Sequence, residues 1–185
     1  GCRFPALYPQ NILSSGMSPT DQHWLLKPRR SSGGTSIRFA TPSELLQPPR
    51  GFYVQAYVEG TSASAVFVAA GGHAVLLGAT RQLLSRDFGL DRPFLYVGSI
   101  GPLELSSEET SKLTRIGNLL AQRHQLAGLF NIDFVRTNSD IWPVEVNPRY
   151  SASMEVLERA TNLRTIELHV RACLNGELPT AISSR

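Results

Sequence analysis

The sequence predicts an α+β chain, ordered as hairpins, then a helix, a further hairpin and closing helices. Three observations carry this. Short runs rich in aromatic and β-branched residues, punctuated by Gly and Pro, fill the first hundred positions. One long amphipathic segment opens at Ser106. A strand–turn–strand around Asn138-Ser139-Asp140 is then followed by helical sequence.

Residues 1–23 carry Pro5, Pro9, Gly16 and Pro19 without periodicity and read as an irregular lead-in. "HWLLKP" is a first strand ending in Lys27, Ser31-Ser32-Gly33-Gly34 a flexible loop, and residues 35–40 a second strand. Residues 41–50 allow at most a turn of helix between prolines, and "GFYVQAYVEG" is a third strand. Two more strands flank a Gly71-Gly72 turn, a loop covers "LSRDFGLDRP", and "FLYVGSIGPLEL" follows. Ser106-Ser107-Glu108-Glu109 fits a capping box, Leu113, Ile116, Leu119 and Leu120 supply the apolar stripe, and Gly128 lies near the helix end. A composition shift at 101–106 divides a lobe at 24–100 from one at 101–185.

With 185 residues, 42% of them hydrophobic and 18% charged, the chain can bury a core of ordinary size. Its net charge of +3 is scattered, and no aromatic-plus-basic surface motif marks a nucleic-acid partner. Cys2 and Cys173 lack metal-ligand spacing and read as reduced thiols, Cys173 as a small buried side chain on the last helix. No apolar run is long enough to span a bilayer. The expectation is a soluble, cytoplasmic protein with no membrane partner.

The hairpin of the second half is the most informative stretch. With a three-residue loop at 138–140, Thr137 pairs with Ile141, Asp133 with Glu145, and Asn131 with Asn147. Alternation then puts Asn131, Asp133, Glu145 and Asn147 on one face, and Phe130, Ile132, Phe134, Trp142, Val144 and Val146 on the other. Opposed carboxylates repel, and a divalent cation relieves that repulsion. An all-oxygen set with few protein ligands suits Mg2+, which keeps water and phosphate in its remaining positions. Arg149 lies just beyond, placed for an anionic oxygen. A solvent-facing polar strand face accounts for the same alternation.

Lys27 before a Ser/Gly loop offers a point charge and a set of backbone amides for phosphate, although no P-loop is present. For this motif alone, an ordinary surface turn beside a lysine is the stronger reading. His73 and His124 have no ligand or catalytic partner at suitable spacing and read as solvent-facing.

"WLLKP", "SSGG", "YVQAYVEG", "IDFV" and "PVEVNPR", in this order, resemble the ATP-grasp superfamily from Trp24 to Arg149. The resemblance implies two α+β lobes with ATP between them. It implies that Lys27 contacts the phosphates, that the loop with Ser32, Gly33 and Gly34 closes over them, and that Gln55, Ala56, Tyr57 and Val58 take the adenine. Ala56 and Val58 would act through their backbone, and Gln55 near the base's amino group. Asp133, Glu145 and Asn147 would hold Mg2+, with Mn2+ as a substitute, and Arg149 would stabilise the transferred phosphate. Thr61-Ser62 stands where many members carry a ribose-binding glutamate, so Glu59 is the candidate for that contact.

The family chemistry joins a small-molecule carboxylate to an amine through an acyl phosphate, which needs positioning and charge neutralisation rather than a covalent nucleophile. "LLGATRQLL" and "VEVNPRYSASMEVLE" look closest to the carboxylate–amine ligases that include tyramine–glutamate ligases, with Arg81, Gln82 and Tyr150 as acceptor-side candidates. Relatives carry an N-terminal domain, so the expectation is a fragment of a longer enzyme, with a homodimer as one assembly it allows. The alternative is a nucleotide-binding regulatory module that holds ATP without turnover.

Overall fold

The computed structural model describes residues 3–8 and 23–180. Most of the lead-in, Cys2 and the closing "AISSR" lie outside the described residues. The chain divides into two compact units, one of Phe4–Glu59 with Leu83–Gly98, the other of Gly1–Arg3, Gly60–Gln82 and Ser99–Arg185. Residues 60–82, grouped with the first lobe on sequence, thus cluster with the second.

In the first unit, β1 (Leu7–Tyr8), β2 (Trp24–Pro28), β3 (Arg38–Phe39) and β4 (Phe52–Ala56) form an antiparallel sheet in the order β1-β4-β2-β3. β1 falls inside the expected irregular lead-in, where the 2-residue strand is too short to leave a period. β3 is likewise only Arg38–Phe39 of the expected 35–40. β4 stops at Ala56 rather than running to Gly60. Helix α1 (Pro42–Leu46) is the single turn the prolines allow, and Glu44 closes its capping box with Thr41. Trp24, Leu26, Val54 and Ala56 form the buried centre of this unit.

The other sheet, most of it in the second unit, consists of β5 (Thr61–Ala70), β6 (His73–Leu84), β7 (Tyr96–Ile100), β8 (Gly128–Arg136) and β9 (Ile141–Asn147), ordered β7-β6-β5-β8-β9. Its central strand β5 reads "ASAVFVAA" because both faces are covered. Ala63, Ala65, Phe67 and Ala69 pack with Phe130, Ile132 and Phe134 against helix α2 (Ser107–His124). Val66, Val68 and Leu129 meet helices α3 (Ala152–Thr161) and α4 (Thr165–Asn175) through Met154, Leu157 and Ala172. Phe67 and Phe130 stack with ring centroids 5.0 Å apart. Gly117 lets α2 come this close, since a Cβ there would lie 2.6 Å from the Phe67 ring.

Helix α2 begins as its capping box dictates: the Ser106 hydroxyl accepts the Glu109 amide at 3.2 Å, and the Glu109 carboxylate accepts the Ser106 amide at 2.8 Å. Its buried stripe is Leu113, Ile116, Gly117 and Ala121, while Leu119 is exposed, being six residues and about 240° round from Leu113. The helix closes on Gln125 in the left-handed region. Gly128 instead opens β8, where a Cβ would lie 2.2 Å from the His169 ring. Cys173 is exposed, because Ala172 is the residue that α4 turns to the core. His73 and His124 are exposed. No helix among the described residues is long and apolar enough to cross a membrane.

Candidate functional site

The first unit carries the lysine half of the candidate set. β2 and β4 pair Leu25 with Gln55 and Lys27 with Tyr53. Lys27 is 7% exposed, its Nζ donates to the Gln55 side-chain oxygen at 3.2 Å, and it lies 5.9 Å from the Tyr53 ring centroid. A buried ammonium is costly unless it meets oxygens and π-faces, so these contacts hold it in place. Gln55 is buried too.

Beyond the strand, the Ala56 amide donates to the Ala6 carbonyl and the Tyr57 amide to that of His23, both at 2.8 Å. Tyr57 packs edge-on to Phe39 and Phe94, and Arg86 donates to its hydroxyl at 3.0 Å. Val58 is half-buried and Glu59 exposed.

The Ser/Gly loop touches the Phe94–Tyr96 segment. Gly33 and Gly34 both take positive φ, 64° and 71°. The Gly33 carbonyl accepts the Tyr96 amide at 2.9 Å, and a Cβ on Gly34 would lie 2.1 Å from the Phe94 carbonyl oxygen. Ser31, Ser32 and Gly33 remain exposed.

The second unit carries the carboxylate half. Asp133 pairs with Glu145 and Asn131 with Asn147, as the sequence pattern requires. The near end of the hairpin differs. Arg136, not Thr137, pairs with Ile141, and Phe134 pairs with Pro143, which leaves Val144 as an extra residue on β9. Thr137 instead closes the loop, its amide donating to the Asp140 carbonyl at 2.9 Å. One slip cancels the other before the polar positions are reached. Trp142 therefore pairs with Val135 and leaves the expected apolar face, where Ile141 and Pro143 are buried in its stead.

Asp133 is half-buried and closely held. Asn131 donates to its Oδ1 at 2.8 Å and Asn147 to its Oδ2 at 3.2 Å, and the side chains of Ser64 and Gln82 also hydrogen-bond it. Burial pushes the carboxyl up to about 6, the Glu145 carboxylate adds to the rise, and the hydrogen bonds oppose it. Glu145 is exposed. Asn131, 2% exposed, donates its other Nδ2 proton to Ser64 at 2.9 Å, and its Oδ1 has no hydrogen-bond partner. Ser64 is a site residue that the motif reading missed, while Asn131 lies on the site face as the hairpin pattern expects. The serine inside the apolar run "ASAVFVAA" is its sequence signal, since a fully buried hydroxyl needs a polar neighbour.

Arg149 is exposed, and its guanidinium donates to the Asn147 Oδ1 and to the Tyr150 carbonyl, each at 3.2 Å. Of the acceptor-side candidates, Gln82 turns to Asp133, Arg81 is exposed opposite Ala63, and the Tyr150 hydroxyl is engaged by Glu158 at 2.6 Å. No group of three or more His, Cys, Asp or Glu among the described residues is arranged to hold a metal. The donor set at the hairpin is two carboxylates with amide oxygens. Opposed carboxylates beside an unpartnered amide oxygen fit a hard divalent cation.

A protein-family model described as an ATP-grasp domain matches residues 3–153. The arginine-specific large chain of carbamoyl phosphate synthase from Lactiplantibacillus plantarum is 34% identical over 79 residues, covering 43% of this chain and 8% of that one. Among solved structures, the biotin carboxylase domain of Hydrogenobacter thermophilus 2-oxoglutarate carboxylase, in complex with MgADP and bicarbonate, matches 97% of this chain and 43% of its own, with 16% identity and a TM-score of 0.70. L-amino acid ligase from Bacillus licheniformis matches 94% of this chain and 44% of its own, with 14% identity and a TM-score of 0.68. At such identities the structural likeness shows the fold alone. This chain spans less than half of either structure and less than a tenth of the carbamoyl phosphate synthase chain.

Proposed function

Since the chain belongs to the ATP-grasp domain family, we propose that it supplies the ATP- and Mg2+-binding part of a ligase that joins a small-molecule carboxylate to an amine. The observation that carries this is the Asp133–Glu145 pair, two carboxylates opposed across a ladder with amide side chains around them.

Lys27 contacts the ATP phosphates, with its Nζ already oriented by Gln55. The amides of Ser32, Gly33 and Gly34 lie along those phosphates, and Gln55, Ala56, Tyr57 and Val58 take the adenine. The Ala56 amide is spent on Ala6, so that residue offers its carbonyl. Glu59 contacts the ribose. Asp133, Glu145 and Asn147 hold Mg2+, which when bound screens the charge of the phosphate oxygens; Mn2+ serves in its place. Asn147 must turn its amide to offer Oδ1, since its Nδ2 now donates to Asp133 and its Oδ1 accepts from Arg149. That rotation frees the Arg149 guanidinium for the transferred phosphoryl group.

A carboxylate oxygen attacks the γ-phosphorus and ADP leaves. The amine nitrogen then attacks the acyl carbon, and phosphate departs with one of the original carboxylate oxygens. The likeness of "VEVNPRYSASMEVLE" to carboxylate–amine ligases of the tyramine–glutamate type suggests an amino acid or dicarboxylic acid as the carboxylate. The carbamoyl phosphate synthase relative supports the reaction class.

The test uses 18O-labelled carboxylates in a panel of acids and amines, in a longer chain that includes residues 1–185. Label found in released phosphate, dependent on amine, meets the expectation. ATP binding with no phosphate release under any pair would favour a regulatory nucleotide-binding module instead.

A further inference from the structure

Directly after Arg149, the chain makes a contact that the proposed chemistry does not use. The Tyr150 hydroxyl donates to the Glu158 Oε2 at 2.6 Å, across to α3. The other oxygen of the same carboxylate accepts the Thr165 hydroxyl at 2.6 Å and the Thr165 amide at 3.1 Å. Thr165 opens α4 and is fully buried. One carboxylate thus ties the turn after β9 to two helices packed on the sheet. At its other end, the Tyr150 carbonyl accepts the Arg149 guanidinium at 3.2 Å.

We propose that Glu158 and Tyr150 are positioning residues for Arg149: Glu158, fixed by Thr165, anchors Tyr150, whose carbonyl holds the guanidinium at the hairpin end. This rests on the reading of Arg149 as the residue that meets the transferred phosphoryl group. Arg149 is exposed on a turn, and once Asn147 turns its Oδ1 to Mg2+ the Tyr150 carbonyl is the acceptor left to hold its four side-chain torsions. Burial and the Glu158 carboxylate push the Tyr150 phenol up to about 12, so the hydroxyl keeps its proton and donates at any working pH. Glu158 is held below the usual carboxylate range: burial pushes it up, and the hydrogen bonds from Thr165 and Tyr150 outweigh that. A charge-assisted bond between them is stronger than a neutral one.

The experiment compares Tyr150→Phe, Glu158→Gln and Arg149→Ala in this chain, with Glu155→Gln as control, because Glu155 adds to the charge near Tyr150 while its hydrogen bonds go to Arg159. The first arm needs no nucleotide: 15N relaxation of the Arg149 Nε. The expected result is a restrained guanidinium in the unmodified chain and in Glu155→Gln, and a mobile one in Tyr150→Phe and Glu158→Gln. Equal order in all four overturns the strut. Tyr150→Phe removes a single hydroxyl, so it keeps the test alive if Glu158→Gln fails to fold.

The second arm titrates Mg·AMP-PNP and Mg·ADP. Tyr150→Phe should weaken Mg·AMP-PNP about 3- to 10-fold, leave Mg·ADP within about twofold, and add nothing in an Arg149→Ala background. An equal loss with and without Arg149 overturns the proposal. Absence of nucleotide binding in the unmodified chain would instead count against the ligase reading, and the strut then stands or falls on the first arm.

Discussion

Replacing Asp133 by Asn removes a charge from the one carboxyl group that burial holds furthest from its ordinary range. The group moves from 3.8 to about 6, roughly 2 units, and each unit is worth ~1.36 kcal/mol. Ionising Asp133 in the folded chain therefore costs about 3 kcal/mol. The sign follows from proton binding. Between the two values the native state holds a proton that the unfolded chain has released, so stability falls as pH rises. The contribution is complete below pH ~4 and gone by about pH 7. Without divalent ions, the unmodified chain should lose about 3 kcal/mol between pH 4 and 7.5 relative to Asp133→Asn, other groups cancelling in the comparison. At low pH the variant should be the less stable by about 1 kcal/mol, since its carboxamide turns a donor towards the amide donors of Asn131 or Asn147. Urea unfolding at four pH values measures both. Parallel stability curves for the two proteins would refute the argument.

Other outcomes follow from the packing. Phe130→Ala opens a cavity beside Phe67 and should cost about 3–5 kcal/mol in urea melts, while Leu174→Ala, on the exposed face of α4, should stay within about 0.5 kcal/mol. Gly34→Ala cannot be accommodated against the Phe94 carbonyl, and hydrogen exchange at the Tyr96 amide, which the Gly33 carbonyl accepts, should rise at least tenfold. Glu109→Ala removes both the capping-box partner of Ser106 and the bidentate acceptor of Arg136, and should cost about 2 kcal/mol at pH 7. Burial raises the Glu109 carboxyl, but the Ser106 amide and Arg136 bring it below its ordinary value. Its contribution is therefore present above pH ~4.5 and lost as pH falls further, and the cost measured by thermal melting should shrink with it.

Much of the carboxylate half was legible because a period of two admits few registers once one face is apolar. The sequence pairs Asp133 with Glu145 through a Thr137–Ile141 closure that the structure does not form. Loop closure at Thr137 and the bulge at Val144 each shift the ladder by one residue, and only their sum is visible at the polar positions. Pro143 was the available clue, since proline within a strand marks an edge or a bulge, and β9 is an edge. Leu119 and Cys173 were misplaced for a related reason: short windows fix that a helix exists, while its rotation depends on which neighbours it meets. Glu158 could not be read at all. Its partners are seven and eight residues away, and nothing in a helical repeat distinguishes a carboxylate that ties down a turn from one in water.

The central claim is that the hairpin carboxylates form a metal–nucleotide site, and calorimetric titration of Mg·ATP into this chain and into Glu145→Gln tests it most directly. The account predicts binding that vanishes with EDTA and weakens at least tenfold in the variant, with unchanged circular dichroism. Binding that is equally tight in both proteins, or indifferent to Mg2+, would contradict it.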